Sequence, residues 1–277
     1  MKERKRQLRK GFTTGACAAA GAKAAAQALF ASVLKRKTPG KTTSIEVTLP
    51  SGREVRIKVK GVEVFEGRAV AAVVKDAGDD PDVTNGADIV TEVSLAGLNG
   101  KRRVVRIGGG EGVGVVTRPG LKVPVGRPAI NPVPLAMIKT AVFEAASQAG
   151  VTPSVRVTVS VPKGRMLAAK TMNPRLGIIG GLSILGTTGI VEPLSLSAYR
   201  DSIACAIDVA LAAGSSTAVF STGRTSERAV ETSLKLLPAA FILTGDHMGF
   251  ALKGAGLRRG LKKIIIAGQF GNSRGLV

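Results

Sequence analysis

A chain of 277 residues, 44% apolar and with 35 glycines, is long enough for two modest domains of about 150 residues each and apolar enough to bury a core without staples, which excludes a disordered polymer. Forty Lys and Arg against 19 Asp and Glu give a formal net charge of +21, which points to an anionic partner: nucleic acid, an acidic membrane surface or a small polyanion. Two cysteines and one histidine exclude a Cys/His zinc cage, and with no Trp and one Tyr the chain lacks aromatic platforms for single-stranded nucleic acid, so a carboxylate-rich small molecule is as good a partner as nucleic acid.

The chain opens on Lys2, Arg4, Lys5, Arg6, Arg9 and Lys10 ahead of an Ala-rich stretch, which imitates a secretory signal; Lys23 inside that stretch, and alanine in place of leucine, favour a helix instead. Thr13 and Thr14 cap that helix, which runs to about Val33 with small residues for close packing. After a linker at 35–41, segments 44–49 and 54–60 alternate around Pro50-Ser51-Gly52 as a hairpin, and strands follow at 69–75, 89–95 and 103–107. Asn131-Pro132 starts a helix over 135–149 that Gly150 stops, and 155–161 returns to strand. The longest uncharged apolar run, 176–191, is short and broken by glycines, so no transmembrane helix is expected.

The last third changes character: helix 198–213, strand 218–221, helix 227–237, strand 240–244, helix 248–259 and strand 263–267 alternate as in a parallel sheet. The expected fold is therefore a strand-rich α+β domain over 1–195, followed by a small Rossmann-like α/β unit over 196–277.

Several motifs carry chemistry. The run Gly108-Gly109-Gly110-Glu111-Gly112 fails the G-x-G-x-x-G pattern, and Gly40-Lys41-Thr42 lacks the first glycine of a Walker A loop; the run is a structural turn or a close backbone approach to a ligand. Asp76, Asp79, Asp80, Asp82 and Asp88 form an acidic island that serves either turn chemistry or an active-site base. In 173–191, Gly180, Gly181, Thr187, Thr188 and Gly189 offer open backbone and hydroxyls that suit an adenosyl amino acid, with tight packing as the alternative. Arg224 and Asp246 stand in turns at the carboxyl ends of expected parallel strands, where Arg224 could hold a carboxylate and Asp246 ribose hydroxyls, or each could be a cap or a solvated charge. His247 reads as a turn residue, and Cys17 and Cys205 as small buried residues, a usage that fits a reduced cytosol.

With Lys10-Gly11-Phe12-Thr13-Thr14-Gly15-Ala16-Cys17-Ala18-Ala19-Ala20, Asp76-Ala77-Gly78-Asp79-Asp80-Pro81-Asp82-Val83-Thr84, the run 108–119, Ala129-Ile130-Asn131-Pro132 and the run 173–191 in order, the chain resembles the CbiD family from about residue 8 to about 271. These are the cobalt-precorrin-5B C(1)-methyltransferases of anaerobic cobalamin biosynthesis. The resemblance implies a cytoplasmic enzyme that takes its methyl group from S-adenosylmethionine, with no protein-bound metal because cobalt belongs to the substrate. A polycarboxylate tetrapyrrole then replaces nucleic acid, or the substrate of a nucleotide-dependent enzyme, as the preferred partner; a membrane is not expected, and a homodimer stays open. It also implies Asp79 or Asp80 as a proton acceptor; Gly180, Gly181, Thr187, Thr188, Gly189 and Asp246 at the cofactor; and Thr13, Thr14, Gly15, Gly109, Gly110, Glu111, Asn131 and Arg224 at the substrate. Thr13, Thr14 and Gly15 gain further weight from physics, since a helix amino end with two hydroxyls suits a carboxylate. The family usually reads Gly-x-x-Gly-Lys where this chain has Gly268-Gln269-Phe270-Gly271-Asn272, and continues where this one stops, so a shortened carboxyl end is expected.

Overall fold

The computed structural model describes residues 8–35, 42–96 and 103–269; the basic run at 2–6, most of the linker at 35–41 and the expected shortened end at 270–277 lie outside them. Contacts divide the chain into two units, the first holding Met1–Val115, Arg127–Asn173 and Ile178–Leu194, the second Val116–Gly126, Pro174–Gly177 and Ser195–Val277. The second unit thus takes in two short excursions that a single cut after residue 195 assigns to the first.

Alanine decides the centre of the first unit. After the two-residue strand β1 (Gly11–Phe12), helix α1 (Thr14–Val33) is capped by Thr13, whose Oγ1 accepts the Ala16 N–H at 3.2 Å. Two antiparallel strands, β2 (Ser44–Thr48) and β3 (Glu54–Lys58), form the expected hairpin, turned at Gly52 with φ +82°. Next come β4 (Gly61–Phe65), β5 (Arg68–Val74), β6 (Asp88–Leu95), β7 (Val104–Gly109) and β8 (Val115–Val116), where the division between units first falls. Helix α2 (Pro132–Ala149), ended by Gly150 in the left-handed conformation, leads to β9 (Ser154–Ser160), the short helix α3 (Gly164–Ala168), β10 (Ile178–Ile179) and β11 (Ile190–Val191).

A five-stranded sheet in the order β4-β5-β6-β9-β7 carries this unit, antiparallel throughout except for the parallel pair β7/β9. Its strands alternate as half-buried strands should: Ala69, Ala71 and Val73 of β5, Ile89, Thr91 and Val93 of β6, and Val155, Val157 and Val159 of β9 are all buried. Helices α1 and α2 pack on one another, and α1 also lies on β5 and β6. Small residues let it lie there: a Cβ on Gly21 would come 2.7 Å from Thr91 Oγ1, and that hydroxyl donates to the Ala18 carbonyl at 3.3 Å. The helix has the length and hydropathy of a membrane span, yet it is the core of this unit, with Lys23 buried against Glu144 at 2.6 Å.

In the second unit, helix α4 (Leu196–Ala212) precedes β12 (Thr217–Ser221), α5 (Arg224–Glu231), β13 (Phe241–Leu243), α6 (Met248–Gly256) and β14 (Lys263–Ala267). The three strands form a parallel sheet with β12 in the middle, in the order β13-β12-β14. Ile203, Ile207 and Ala210 of α4 and Met248 and Ala251 of α6 pack with Phe220 and Ile242 on one face; Val230 of α5 packs with Val219, Phe241 and Ala267 on the other.

Short elements such as β1, β8, α3, β10 and β11 were not expected, and three further differences have a physical reason. Strand β4 was not anticipated, although Val62, Val64 and Gly67 carry a hairpin signal; it pairs with β5 across Glu66-Gly67. The helix expected over 227–237 starts at Arg224 and ends at Glu231, because the hydroxyls of Thr232 and Ser233 turn back to the Ala229 carbonyl at 3.1 and 3.3 Å and Pro238 forces Leu237 to an extended backbone. Pro238–Ala240 then forms a 3₁₀ turn that delays β13 to Phe241.

Candidate functional site

The first unit gathers three distant segments, 9–15, 76–80 and 185–194. Strand β1 pairs with β11, Gly11 opposite Val191 and Phe12 opposite Ile190, while the Phe12 N–H donates to the Asp76 carbonyl at 2.7 Å. Gly11 leaves no space for a side chain, since a Cβ there would lie 2.1 Å from the Ala77 carbonyl carbon. The Arg9 guanidinium forks onto Asp76 at 2.5 and 2.8 Å, and its hydrogen bond, followed by that from the Gly78 N–H, holds the Asp76 carboxyl below its ordinary range. Asp79 Oδ2 accepts the Arg9 N–H at 2.7 Å and Asp80 Oδ1 accepts the Leu194 N–H at 2.9 Å, so among the described residues each keeps one oxygen without a protein hydrogen bond. Lys10 pairs with Glu192 across the same junction. Asp82, further along, accepts from buried Lys75 at 2.6 Å and from Thr84; burial alone would raise its pKa, and these bonds outweigh burial and lower it.

Thr13, Thr14 and Gly15 sit inside this knot with both hydroxyls and the amides of Thr13 and Gly15 in use. The Thr13 N–H donates to the Gly189 carbonyl at 3.0 Å and its hydroxyl caps the helix. Thr14 Oγ1 accepts the Leu185 N–H at 2.9 Å and donates to the Leu185 carbonyl at 3.3 Å, and the Gly15 N–H reaches that carbonyl at 3.1 Å. The helix end that suits a carboxylate is closed by the chain itself.

The glycine runs work as packing surfaces against each other. The Leu182 N–H donates to the Gly112 carbonyl at 2.9 Å and the Gly114 N–H to the Leu182 carbonyl at 2.8 Å; a Cβ on Gly181 would come 2.1 Å from the Gly112 oxygen. Gly109 and Gly110 are equally confined, by Pro128 and by Ser160, and Glu111 is left exposed between them and Gly112. Gly189 is buried against Leu49, whereas Gly180, with φ +87°, is exposed with open space around it. Thr187 and Thr188 are exposed; Thr188 Oγ1 binds the Ile190 backbone, and the Thr187 hydroxyl has no partner among the described residues. Asn131 stands at the start of α2 without capping it through its side chain. Among the described residues no cluster of His, Cys, Asp and Glu could hold a metal ion.

The second unit presents its candidates at the carboxyl ends of its strands. Arg224 donates to Glu227 at 3.0 Å, and Glu227, fully buried, also receives Arg175; neither Arg175 nor Glu227 was singled out from the sequence, because nothing local marks a pair 52 residues apart. Asp246 is exposed in a 3₁₀ turn, and His247 packs on Tyr199 with ring centroids 5.1 Å apart. Burial pushes the Tyr199 phenol pKa up, and the charges of Asp246 and Glu227 add to it. The Ser221 hydroxyl, at the end of β12, is the one buried side-chain oxygen among the described residues without a hydrogen-bond partner. Ser221 pairs with Ala267, and a cleft of about 350 Å³ is lined by Thr225, Ser226, Ala229, Val230 and residues 266–269, which sequence reasoning also missed. Gly268, read there only as a departure from the family, was the available signal.

Neither thiol is a nucleophile candidate. Burial pushes Cys17 up to about 12, and it raises Cys205 as well, although Cys205 is half-buried where full burial was expected.

The sequence profile of the CbiD family matches residues 1–193. The chain belongs to the CbiD family. That span contains every candidate residue of the first unit and neither Arg224 nor Asp246. The chain is 51% identical over 270 residues to the cobalt-precorrin-5B C(1)-methyltransferase of Geobacter sulfurreducens, covering 96% of this chain and 72% of that protein. It is 50% identical to the protein of the same description from Geobacillus kaustophilus, over 97% of this chain and 69% of that one. Among solved structures, a cobalamin biosynthesis protein (cbiD) from Archaeoglobus fulgidus is similar at a TM-score of 0.51 and 30% identity, over 94% of this chain and 77% of that one. This CbiD-family member thus has a mixed α+β fold that includes a parallel sheet.

Proposed function

We propose that this chain is a cytoplasmic enzyme that methylates cobalt-precorrin-5B at ring carbon C-1, drawing on S-adenosylmethionine and giving cobalt-precorrin-6A. The observation that carries the reading is the identity of about half, across nearly the whole chain, to proteins described as cobalt-precorrin-5B C(1)-methyltransferases. When bound, the donor supplies an electrophilic methyl group on a sulfonium; transfer breaks one carbon–sulfur bond, forms one carbon–carbon bond and leaves S-adenosylhomocysteine.

The protein's share is attraction, alignment and one proton. A net charge of +21 draws in a tetrapyrrole bearing many carboxylates. Alignment of two bound reactants is worth about 7–11 kcal/mol, so no side-chain nucleophile is required. Asp79 and Asp80 are nominated as proton acceptors because each has one oxygen held by a backbone N–H and the other without a partner among the described residues. Thr187, expected from the sequence at the cofactor, and Asn131 have side chains without partners among the described residues and are nominated for substrate contact, and Gly180 for close backbone approach. Thr13, Thr14, Gly15, Gly109, Gly110, Gly181 and Gly189 support the reading as the frame of these groups.

The test is direct: purified chain, S-adenosylmethionine and cobalt-precorrin-5B should yield S-adenosylhomocysteine and a tetrapyrrole heavier by one methyl group. No methyl gain with fully folded protein would refute the reading. Replacing both Asp79 and Asp80 by Asn should lower turnover by about 10²–10⁴ with little change in substrate affinity, as expected of a general base.

A further inference from the structure

The second unit contains a crevice that its strand order creates. From central β12 the chain passes over α5 on one face to β13, then returns by α6 on the other face to β14 on the far side of β12. The central strand β12 thus has the strand it leads to on one side and the later strand β14 on the other, and in open α/β sheets of this order ligands bind at the carboxyl ends of the central and later strands. The cleft of about 350 Å³ is there, between the first two turns of α5 and residues 266–269 that end β14 and follow it. Its walls differ in chemistry. Ala229, Val230 and Ile266 give an apolar surface, Thr225, Ser226 and Gln269 give hydrogen-bonding edges, and Gly268 gives a flat floor, with Thr222 as the nearest side chain at 3.5 Å from a Cβ placed on it.

We infer that this crevice holds the adenosine half of S-adenosylmethionine, an assignment that rests on the methyl-transfer reading above. A cleft of this size suits a small flat molecule with an apolar body and polar edges, and is too small for a tetrapyrrole macrocycle. Charge argues for a neutral nucleoside over a phosphate: none of the residues lining the cleft is charged, and Glu227, fully buried at the start of α5, draws Arg224 and Arg175 onto itself. Hydrogen-bonding capacity remains for neutral groups. The amides of Arg224, Thr225 and Ser226 precede the first intrahelical bond, from the Glu227 N–H to the Gly223 carbonyl at 3.0 Å, and the hydroxyl of Ser221, the residue paired with Ala267 of the cleft wall, is buried without a partner among the described residues.

The experiment is calorimetric titration of S-adenosylhomocysteine into the full chain and into three variants. Ala229→Trp and Gly268→Leu fill the cleft from opposite walls at exposed positions, so each checks the other should one lose its fold by circular dichroism; Thr187→Ala alters the glycine-threonine loop of the first unit. Both cleft variants should weaken binding at least about tenfold (~1.4 kcal/mol), Thr187→Ala should stay within about twofold, and adenosine alone should compete in the wild type. Unchanged affinity in a folded cleft variant, or a large loss in Thr187→Ala alone, overturns the assignment and leaves the methyl-transfer reading standing. A wild-type chain that binds no S-adenosylhomocysteine overturns both.

Discussion

A methyl group on Gly181 would sit 2.1 Å from the carbonyl oxygen of Gly112, while one on Gly180 would meet nothing within 4 Å. Gly181→Ala should therefore force two backbones apart and cost about 3 kcal/mol or more by urea denaturation, whereas Gly180→Ala pays only for its left-handed φ, about 1 kcal/mol. The pair Lys75–Asp82 makes a second residue-scale case. Lys75 Nζ is buried and Asp82 is its partner at 2.6 Å, so Asp82→Asn leaves an ammonium without a counter-charge and should cost about 3 kcal/mol at pH 7. Because folding lowers the Asp82 pKa below its unfolded value of about 3.9, the unfolded chain takes up the proton first as pH falls. The stabilisation is whole above about pH 5 and is lost as pH drops through the folded value. The gap in unfolding free energy between wild type and Asp82→Asn should accordingly be widest near neutrality and shrink below about pH 4. A gap that widens in acid would contradict this account.

Helix ends show how far the sequence could be read. Thr13 before α1, and Asn131-Pro132 before α2 with Gly150 after it, are local signals, and the structure places both helices by them. The parallel order of the second unit was also legible, because strand and helix patterns alternate strictly there. What could not be read were the partners of the caps: Thr14 and Gly15 satisfy the Leu185 backbone, 171 residues from Thr14, and no spacing rule encodes that. The same blindness affects the glycine runs, whose lack of side chains looks alike whether a ligand or another strand approaches. Thr14→Val should orphan the Leu185 N–H and cost about 1–3 kcal/mol, read as a lower melting temperature. In the second unit Arg258 ties α6 to α4, bonding Asp208 at 2.6 and 3.2 Å as well as the carbonyls of Gly254 and Ala204. Arg258→Met should speed hydrogen exchange in α6 well before it affects β6.

At the scale of the whole molecule, charge and chain path govern behaviour. With +21 net charges, association with a polycarboxylate should slow steeply as salt rises, on the order of tenfold between 20 and 300 mM, with the dissociation rate changing less; stopped-flow mixing measures both. The chain path has a consequence for synthesis. Arg175 belongs to the second unit, and its carboxylate partner Glu227 is 52 residues further on. On a ribosome adding about 5–20 residues per second, the guanidinium is made roughly 3–10 s before the carboxylate it neutralises. The nascent chain must carry the excursion at 174–177 unclaimed for that interval, and the second unit can close only long after its opening piece at 116–126 has been synthesised. Slowing translation between codons 178 and 227 should therefore lengthen the exposure of Leu176, which packs in the core of that unit, and raise the demand for chaperones that hold apolar segments.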